Sequence, residues 1–386
     1  MLRHLFLTLE YPPAKGGVGR YMAGVTEHLP QGTVTVFAPP YPGDVECDGA
    51  SQVAVRRQPL LSARMWPRWL PLVGTVRRMV RQGDIDFVHV GHVLPIGTAV
   101  WIALLRSKIP YLVYTHGMDL SLPRTSPVKR WLVRRILRSA VRVITNTRFT
   151  KGIAEWYGVP EDRIIVLPPA CSIRTDVDVG EARQYGASLG LDGKQIILSV
   201  GRLVARKGFD TLIAALDIVR ERLPNLHVVI VGNGPDRSRL ESIILQRKLQ
   251  SRVHLLGPVS DRQLKSLYRL CTAFVMVSRT EEGGNDVEGF GMVYTEANAF
   301  GKPVIAGRTG GVEEAVLDRV TGLVVDPHSV EQTARAIERL CSDHELAHRL
   351  GESGQSRAER EFTWEATMRP YRAWLASFDH SLEKNT

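Results

Sequence analysis

The sequence predicts two doubly wound α/β domains, each built on a parallel sheet. Three observations predict it. Short apolar runs alternate with stretches of helical length along the whole chain. The alternation begins afresh after an aperiodic, proline-containing stretch near residue 170. Several apolar runs end on a glycine turn that opens a helix, the arrangement by which parallel sheets hold phosphates. At 386 residues the chain is long enough for two such domains, each with its own core.

In the first half, residues 2–9 (LRHLFLTL) read as a buried strand. EYPPAKGGVGRYMAGVTEHL follows as a turn, a glycine-rich loop over residues 16–19 and a helix from about Arg20. Further strands are expected at 33–37, 53–56, 87–90, 111–114, 141–145 and 164–167. Helical stretches separate them, so the strands run parallel and ligands sit at their carboxyl ends. Three loops lie there: residues 16–19, Gly91-His92, and His116-Gly117-Met118-Asp119. His92 and His116 each follow a strand directly and are equally well placed, whereas His89 sits within a strand.

LPPACSIRTDVDVGEARQ, residues 167–184, has prolines and charges but no period, and marks the domain boundary. The expected domains are 1–170, 171–360, and a terminal helical segment 361–386 whose last helix covers about 363–378 and carries Trp364, Tyr371 and Trp374. The second half repeats the pattern, with strands near 195–200, 227–231, 253–256, 274–277, 304–306 and 323–325. In SVGRLVARKGFDTLIAAL, Arg202 and Lys207 follow a buried strand and precede a helix starting near Phe209. They stand at the carboxyl edge of the sheet, where a diphosphate needs cations. VGNGPDRSRLE is a second strand–glycine–helix turn, and Gly257-Pro258-Val259 follows the next strand.

Residues 281–296, EEGGNDVEGFGMVYTE, form a loop that becomes a helix near Gly291 and stops at Gly301, with Pro303 beyond. The first amides of a helix lack partners and attract anions. Glycines let a large ligand approach that backbone. Carboxylates beside a diphosphate repel it unless they serve neutral hydroxyls, which they bind well. Glu288 and Glu296, eight positions apart, suit sugar and ribose hydroxyls, so the stretch fits a nucleotide-sugar; alone it equally describes a capped helix with two exposed glutamates.

Cys47, Cys171, Cys271 and Cys341 are scattered without a CxxC pair, which argues for a reducing compartment. The N-terminal apolar run is short for a signal peptide and no run is long enough to span a bilayer, so a cytoplasmic location is expected. Asp84-Ile85-Asp86 and Asp176-Val177-Asp178 match a two-carboxylate metal pattern that is common by chance, and no metal is assigned.

The net charge of +10 is uneven: 22 Lys+Arg against 11 Asp+Glu in residues 1–170 give +11, and 28 against 29 in residues 171–386 give −1. The first half is thus suited to an anionic partner. Few and dispersed aromatics argue against nucleic acid, which needs stacking platforms. Residues 62–82 mix Trp66, Trp69, Leu70 and Leu72 with Arg64, Arg68, Arg77, Arg78 and Arg81, a composition that suits an anionic membrane surface. Residues 128–143 set Trp131, Leu132, Ile136, Leu137 and Ala140 at helical spacing opposite a basic face of Lys129, Arg130, Arg134, Arg135 and Arg138. Peripheral membrane contact is expected through these two stretches; the alternative for the second is a core-packed helix with a solvated basic face.

At SVGRLVARKGFDTLI, VGNGPDRSRLE and EGFGMVYTEANAFGKPVIAGRTGG the chain resembles the retaining GT-B glycosyltransferases, a family with two Rossmann-like domains facing a cleft. The resemblance runs along essentially the whole chain and is strongest over about 195–325. NDVEGFGMVYTEA is most similar to the bacterial GDP-mannose-dependent phosphatidylinositol mannosyltransferases. The resemblance implies that Arg202 and Lys207 hold the donor diphosphate and Glu288 contacts the donor sugar. It implies that Gly289, Phe290, Gly291, Met292 and Val293 present backbone amides, and that Glu296 binds the ribose. Gly17, Val18 and Gly19 would approach the donor phosphate, Gly201 would lie beside it, and Val259 would touch the base. His116 would stand near the reacting centre. The implied reaction moves a hexose, mannose from GDP-mannose, onto a lipid-linked or other glycan acceptor with retention and without a metal or other cofactor. The alternatives are a UDP-sugar donor or a sugar-nucleotide epimerase of the same architecture. Where the family usually has Gly-Gly-x-Pro-Glu, this chain has Gly310-Gly311-Val312-Glu313-Glu314, so a different loop shape is expected there.

Overall fold

A computed structural model describes residues 2–14, 16–83, 85–171, 173, 175–281 and 286–383, of which 379–383 by backbone alone. Asp84 of one two-carboxylate pair and residues 282–285 of the glycine-rich stretch therefore lie outside the described residues. The chain divides into two compact units, Met1–Ala170 with Trp364–Thr386, and Cys171–Thr363.

The first unit holds a seven-stranded sheet: β1 (His4–Leu7), β2 (Val34–Ala38), β3 (Ala54–Arg57), β4 (Phe87–Val90), β5 (Tyr111–Thr115), β6 (Arg142–Thr145) and β7 (Ile164–Val166). Their order is β3-β2-β1-β4-β5-β6-β7 and every pair is parallel. The second unit holds β8 (Gln195–Val200), β9 (Leu226–Val231), β10 (Val253–Gly257), β11 (Ala273–Met276), β12 (Val304–Gly307) and β13 (Gly322–Val325), ordered β10-β9-β8-β11-β12-β13 and again all parallel. Both sheets grow outward from their first strand and then reverse to its other side. The switch points fall between β1 and β4 and between β8 and β11, where a doubly wound sheet opens a crevice at its carboxyl edge.

Burial explains why the strands were legible. β1, β4, β5, β11 and β12 are buried at every residue, as strands covered on both faces must be, and so read as continuous apolar runs. The edge strand β3 alternates exposed and half-buried residues. Two expectations are corrected. The loop over residues 16–19 is in fact the start of a helix, Gly17–Glu27, with Gly16 in extended conformation as its N-cap. Glycines signal flexibility in a sequence, but here Gly19 lies close to the Ala14 carbonyl and the Tyr11 amide, and its lack of a side chain serves packing. The terminal helix is broken into Trp364–Thr367 and Arg369–Glu383.

That terminal segment completes a core. Trp364, Met368, Tyr371 and Trp374 join Phe6, Phe87, Leu112, Tyr114 and Ile144 in one buried cluster. Each such side chain contributes about 1.5–3 kcal/mol on burial. A Cβ at Gly24 would stand 1.7 Å from the Trp364 ring, so only glycine lets the indole lie against helix Gly17–Glu27.

Beneath this cluster runs a buried polar chain: His4 Nδ1 lies 2.9 Å from His89 Nε2, and His89 Nδ1 lies 3.1 Å from the Tyr114 hydroxyl. Burial pushes His4 down to about 4, against the pull of Asp86, and pushes His89 well below its ordinary value. Both stay neutral when folded but take protons near pH 6.5 when unfolded. Their contribution is whole above pH 6.5 and is lost as pH falls towards 4, by roughly 3 kcal/mol for His4. All seven tryptophans, Trp66, Trp69, Trp101, Trp131, Trp156, Trp364 and Trp374, belong to this unit, so tryptophan fluorescence reports its unfolding separately. The urea midpoint by fluorescence is expected to fall between pH 7 and pH 5, and to fall less in His4→Asn. A midpoint flat across that range would contradict the buried neutral pair.

Candidate active site

The β8–β11 switch point gathers charge. After β8 the chain makes a single 3-10 turn, Ala205–Lys207, and turns back at Gly208 with φ +68. A Cβ on Gly208 would stand 2.1 Å from the Val277 carbonyl oxygen, so glycine lets this turn lie directly on the end of β11. The Arg279 amide donates to the Arg206 carbonyl at 2.8 Å and fastens the two loops. Arg279 in turn grips Asp210 with Nη1 at 2.8 Å and Nη2 at 3.1 Å.

Glu288 is the centre of this arrangement and only 8% exposed. Its Oε2 accepts from Lys207 Nζ at 2.5 Å, Arg206 Nη1 at 2.8 Å and Ser278 Oγ at 3.3 Å. Arg206 Nε also lies 3.1 Å from Asp286 Oδ1. Burial raises the pKa of Glu288, but the charges and hydrogen bonds of Lys207 and Arg206 outweigh it and hold the carboxyl down to about 2. Burial lowers Lys207 despite Glu288, and burial raises Asp286 despite Arg206.

The glycine loop after β12 fixes Glu288 from behind. The Gly311 amide donates to the Glu288 carbonyl at 3.0 Å. Gly310, at φ +51, approaches so closely that a Cβ would stand 2.2 Å from that oxygen. This loop continues into a short helical turn, Val312–Ala315. On the other side, Gly291 at φ +83 starts helix Met292–Ala299, and a Cβ there would meet the Tyr294 ring at 2.4 Å. The Tyr294 hydroxyl donates to the Met276 carbonyl at 2.7 Å, tying that helix to β11.

The structure thus brings Lys207 and Glu288 together, with Gly201 beside them: a Cβ on Gly201 would lie 3.6 Å from Lys207 Cε. It does not bring Arg202 to Glu288. Arg202 is exposed, and the second cation on the carboxylate is Arg206. Arg202 precedes the turn at Ala205–Lys207 whereas Arg206 lies within it, a distinction invisible in a run containing both. Ser278 was also missed; its one signal was its position just after the apolar run of β11. Gly289, Phe290 and Gly291 are buried, and the Phe290 ring packs edge-on against Phe362 with centroids 5.4 Å apart. Met292 and Val293 are half-buried in the first turn of the helix. Glu296 is buried and its Oε2 accepts from the Tyr268 hydroxyl at 2.9 Å. Val259 is half-buried against the core that Phe290 and Tyr294 share.

In the first unit, His116 Nε2 lies 3.0 Å from the Gly91 carbonyl, and the His116 amide donates to Asp119 Oδ1 at 2.9 Å. His92 Nδ1 accepts from the Leu9 amide at 3.3 Å, and its ring centroid lies 6.0 Å from that of His116. Burial, then the neighbouring His116, pushes His92 down to about 3. The two histidines therefore share one carboxyl edge, beside the start of helix Gly17–Glu27 through the Tyr21–His116 edge contact at 5.7 Å.

Three of the four carboxylates in the two-carboxylate pairs have partners among the described residues. Asp178 caps helix Val179–Ser188, Asp176 pairs with Lys265 at 2.6 Å, and Asp86 accepts from the Arg3 amide at 2.7 Å.

The basic stretches are surface features of the first unit. Helix Leu70–Gln82 buries Leu72, Val73 and Val76, while Trp66 before it is 85% exposed. A cleft of about 400 Å³ lies between residues 58–64 and the start of this helix, lined by Leu60, Leu61, Ala63, Arg64 and Leu72 among others. Helix Pro127–Ser139 corrects the expected apolar face: it buries Val133, Ile136 and Leu137, and leaves Trp131 51% exposed beneath the Arg135 guanidinium. Helical spacing could not separate these two stripes. Among the described residues, no helix is long and apolar enough to cross a membrane.

Residues 183–357 match the family model "Glycosyl transferases group 1", and residues 15–174 match "Glycosyltransferase Family 4". The GDP-mannose-dependent alpha-(1-6)-phosphatidylinositol monomannoside mannosyltransferase of Mycobacterium tuberculosis is 32% identical over 95% of this chain and 96% of its own length. The alpha-D-kanosaminyltransferase of Streptomyces kanamyceticus is 29% identical over 84% of this chain and 89% of its own. Among solved structures, HepE of Anabaena in complex with UDP and glucose superposes with a TM-score of 0.84 at 21% identity, over 98% of this chain and 100% of that one.

Two glycines separate backbone strain from contact. Gly193 and Gly310 both have positive φ, but nothing lies within 4 Å of a Cβ on Gly193. Gly193→Ala is expected to cost about 1 kcal/mol and Gly310→Ala at least about 2 kcal/mol more, because the Glu288 backbone must move. Thermal melts followed by circular dichroism compare them; equal losses would mean that Gly310 does not brace Glu288.

Proposed function

We propose that this chain, which belongs to the group 1 glycosyltransferases, moves mannose from GDP-mannose to a hydroxyl of a lipid-linked acceptor with retention, forming an α linkage. The observation that carries the reading is the cluster at the β8–β11 switch point, where Lys207 and Arg206 converge on the ionised, buried Glu288. Cations beside glycine backbone suit a diphosphate, and a carboxylate that stays ionised suits sugar hydroxyls. The choice of GDP-mannose and of a phosphatidylinositol-type acceptor is supported by the name of the Mycobacterium tuberculosis relative and the span of the match.

The chemistry follows from this charge layout. As the glycosidic bond breaks, negative charge grows on the leaving diphosphate. Lys207 and the exposed Arg202, at the same sheet edge, stabilise it, acting in a site already organised for charge. The acceptor hydroxyl attacks from the face the diphosphate leaves and gives it its proton. No side chain then needs to serve as the base, and Glu288 holds the sugar by its hydroxyls. Glu296 takes the ribose. In the first unit, His116 and its neighbour His92 supply hydrogen-bonding groups for a sugar. The cations of this scheme are side chains, so transfer needs no divalent ion and is expected to survive EDTA.

The acceptor is reached at an anionic membrane, to which residues 62–82 and 128–143 bind peripherally. Exposed Trp66 and Trp131 stand among arginines there, the pairing that holds a protein in the interface between headgroups and acyl chains.

Lys207→Ala and Glu288→Ala are each expected to abolish transfer while the circular dichroism spectrum persists; full activity in either would remove the assigned roles. GDP-mannose at 100 times its Kd should stabilise the donor-binding unit by about 2.7 kcal/mol. A thermal-shift series with GDP-mannose, UDP-glucose and UDP-N-acetylglucosamine reads this directly, and stabilisation by the UDP-sugars alone would overturn the donor.

A further inference from the structure

Glu288 accepts all its hydrogen bonds from the described residues through one oxygen, Oε2, leaving Oε1 for other donors. Lys207 therefore has two claims on it. It holds the buried carboxylate at 2.5 Å, and in the reading proposed above, on which this inference rests, it must also meet the donor diphosphate. When Lys207 turns to the diphosphate, Glu288 loses a cation while still buried. A buried carboxylate left unpaired either costs several kcal/mol or takes up a proton. Once protonated, it no longer accepts from sugar hydroxyls through both oxygens.

Arg206 removes this conflict. Its guanidinium is a rigid fork, with Nη1 on Glu288 at 2.8 Å and Nε 3.1 Å from Asp286 Oδ1. Asp286 stands beside the guanidinium as a second ion-pair partner, although its Oδ1 takes no hydrogen bond from it. The carbonyl of Arg206 is itself held by the Arg279 amide at 2.8 Å, and Arg279 is fixed on Asp210. We propose that Arg206 is a positioning residue, which keeps Glu288 ionised and oriented while Lys207 is released to the diphosphate of the donor. The groups around Glu288 agree with this division. Lys207 and Arg206 reach it from the turn after β8, Ser278 from the end of β11, and Asp286 and Tyr294 stand on its own stretch with Glu281 acting on Asp286. Among the described residues, Arg206 is the charged partner of Glu288 that stays when Lys207 leaves.

The test compares pH profiles of kcat and donor KM for the full chain, Arg206→Ala and Arg206→Lys, with GDP affinity measured by calorimetry. In Arg206→Ala, kcat at neutral pH is expected to fall about 10- to 100-fold. The donor KM and the GDP affinity should stay within about threefold, which is under about 1 kcal/mol. The acid limb of kcat should move up towards neutrality as Glu288 gains a proton in the donor complex. Arg206→Lys, which keeps the charge but loses the fork, should move the limb part of the way back. An acid limb unmoved in both variants overturns the proposal, as does a loss of GDP affinity equal to the loss of kcat/KM, since Arg206 would then be a phosphate ligand. Should the alanine variant fail to fold, the lysine variant's profile decides alone. A parent chain that neither binds GDP nor turns over GDP-mannose overturns the underlying reading, whereas an active parent with unmoved variants overturns this inference only.

Discussion

The second unit is organised around a buried ion pair, Lys207 with Glu288, that water cannot screen. An arrangement of this kind is an expensive way to hold a protein together. Desolvation of two charges can exceed their attraction, and apolar side chains of similar size commonly do as well or better. Its place at a topological switch point fits the proposed role instead: charges already stripped of water can serve a charged ligand with little rearrangement of solvent.

The charges can be buried because the backbone comes close enough to bury them. Gly208 against Val277, Gly232 against Gly201, Gly234 against Leu203, Gly307 against Ser278 and Gly310 against Glu288 are all contacts that a Cβ would occupy. They lie at the carboxyl ends of β8, β9, β11 and β12 or in the turns beyond. Side-chain volume is removed where four loops converge, and the loops then support one another through amide–carbonyl bonds. The glycines act less as hinges here than as the thin parts of a close joint.

This also explains what could be read from the sequence. Strand positions were legible to within about two residues because parallel strands covered on both faces leave unbroken apolar runs ending at turns. Lys207 stood out because it follows such a run at the carboxyl edge, and Glu288 because glycine turns and a helix start surround it; the structure brings the two together. Arg206 was not, since Arg202 has the same credentials, and only the 3-10 turn closed by Gly208 decides which guanidinium comes inward. The helix at Gly17 was hidden by glycines that serve packing rather than mobility. The inward stripe of Pro127–Ser139 was ambiguous because Trp131, an apolar side chain, stands on the basic outer face while Val133 lies on the buried one.

The terminal segment has a consequence for how the protein is made. Trp364, Met368, Tyr371 and Trp374, with Leu375 and Phe378 packed against them, join the core of the first unit from the far end of the chain. On the ribosome, residues 1–170 emerge with Phe6, Phe87 and Tyr114 uncovered. The whole of Cys171–Thr363 is then synthesised, and can fold, before the aromatic cover arrives. The first unit to be born is thus the last to be finished. For the length of some two hundred codons its sheet carries an open apolar face, which is the interval in which a chaperone has most to offer.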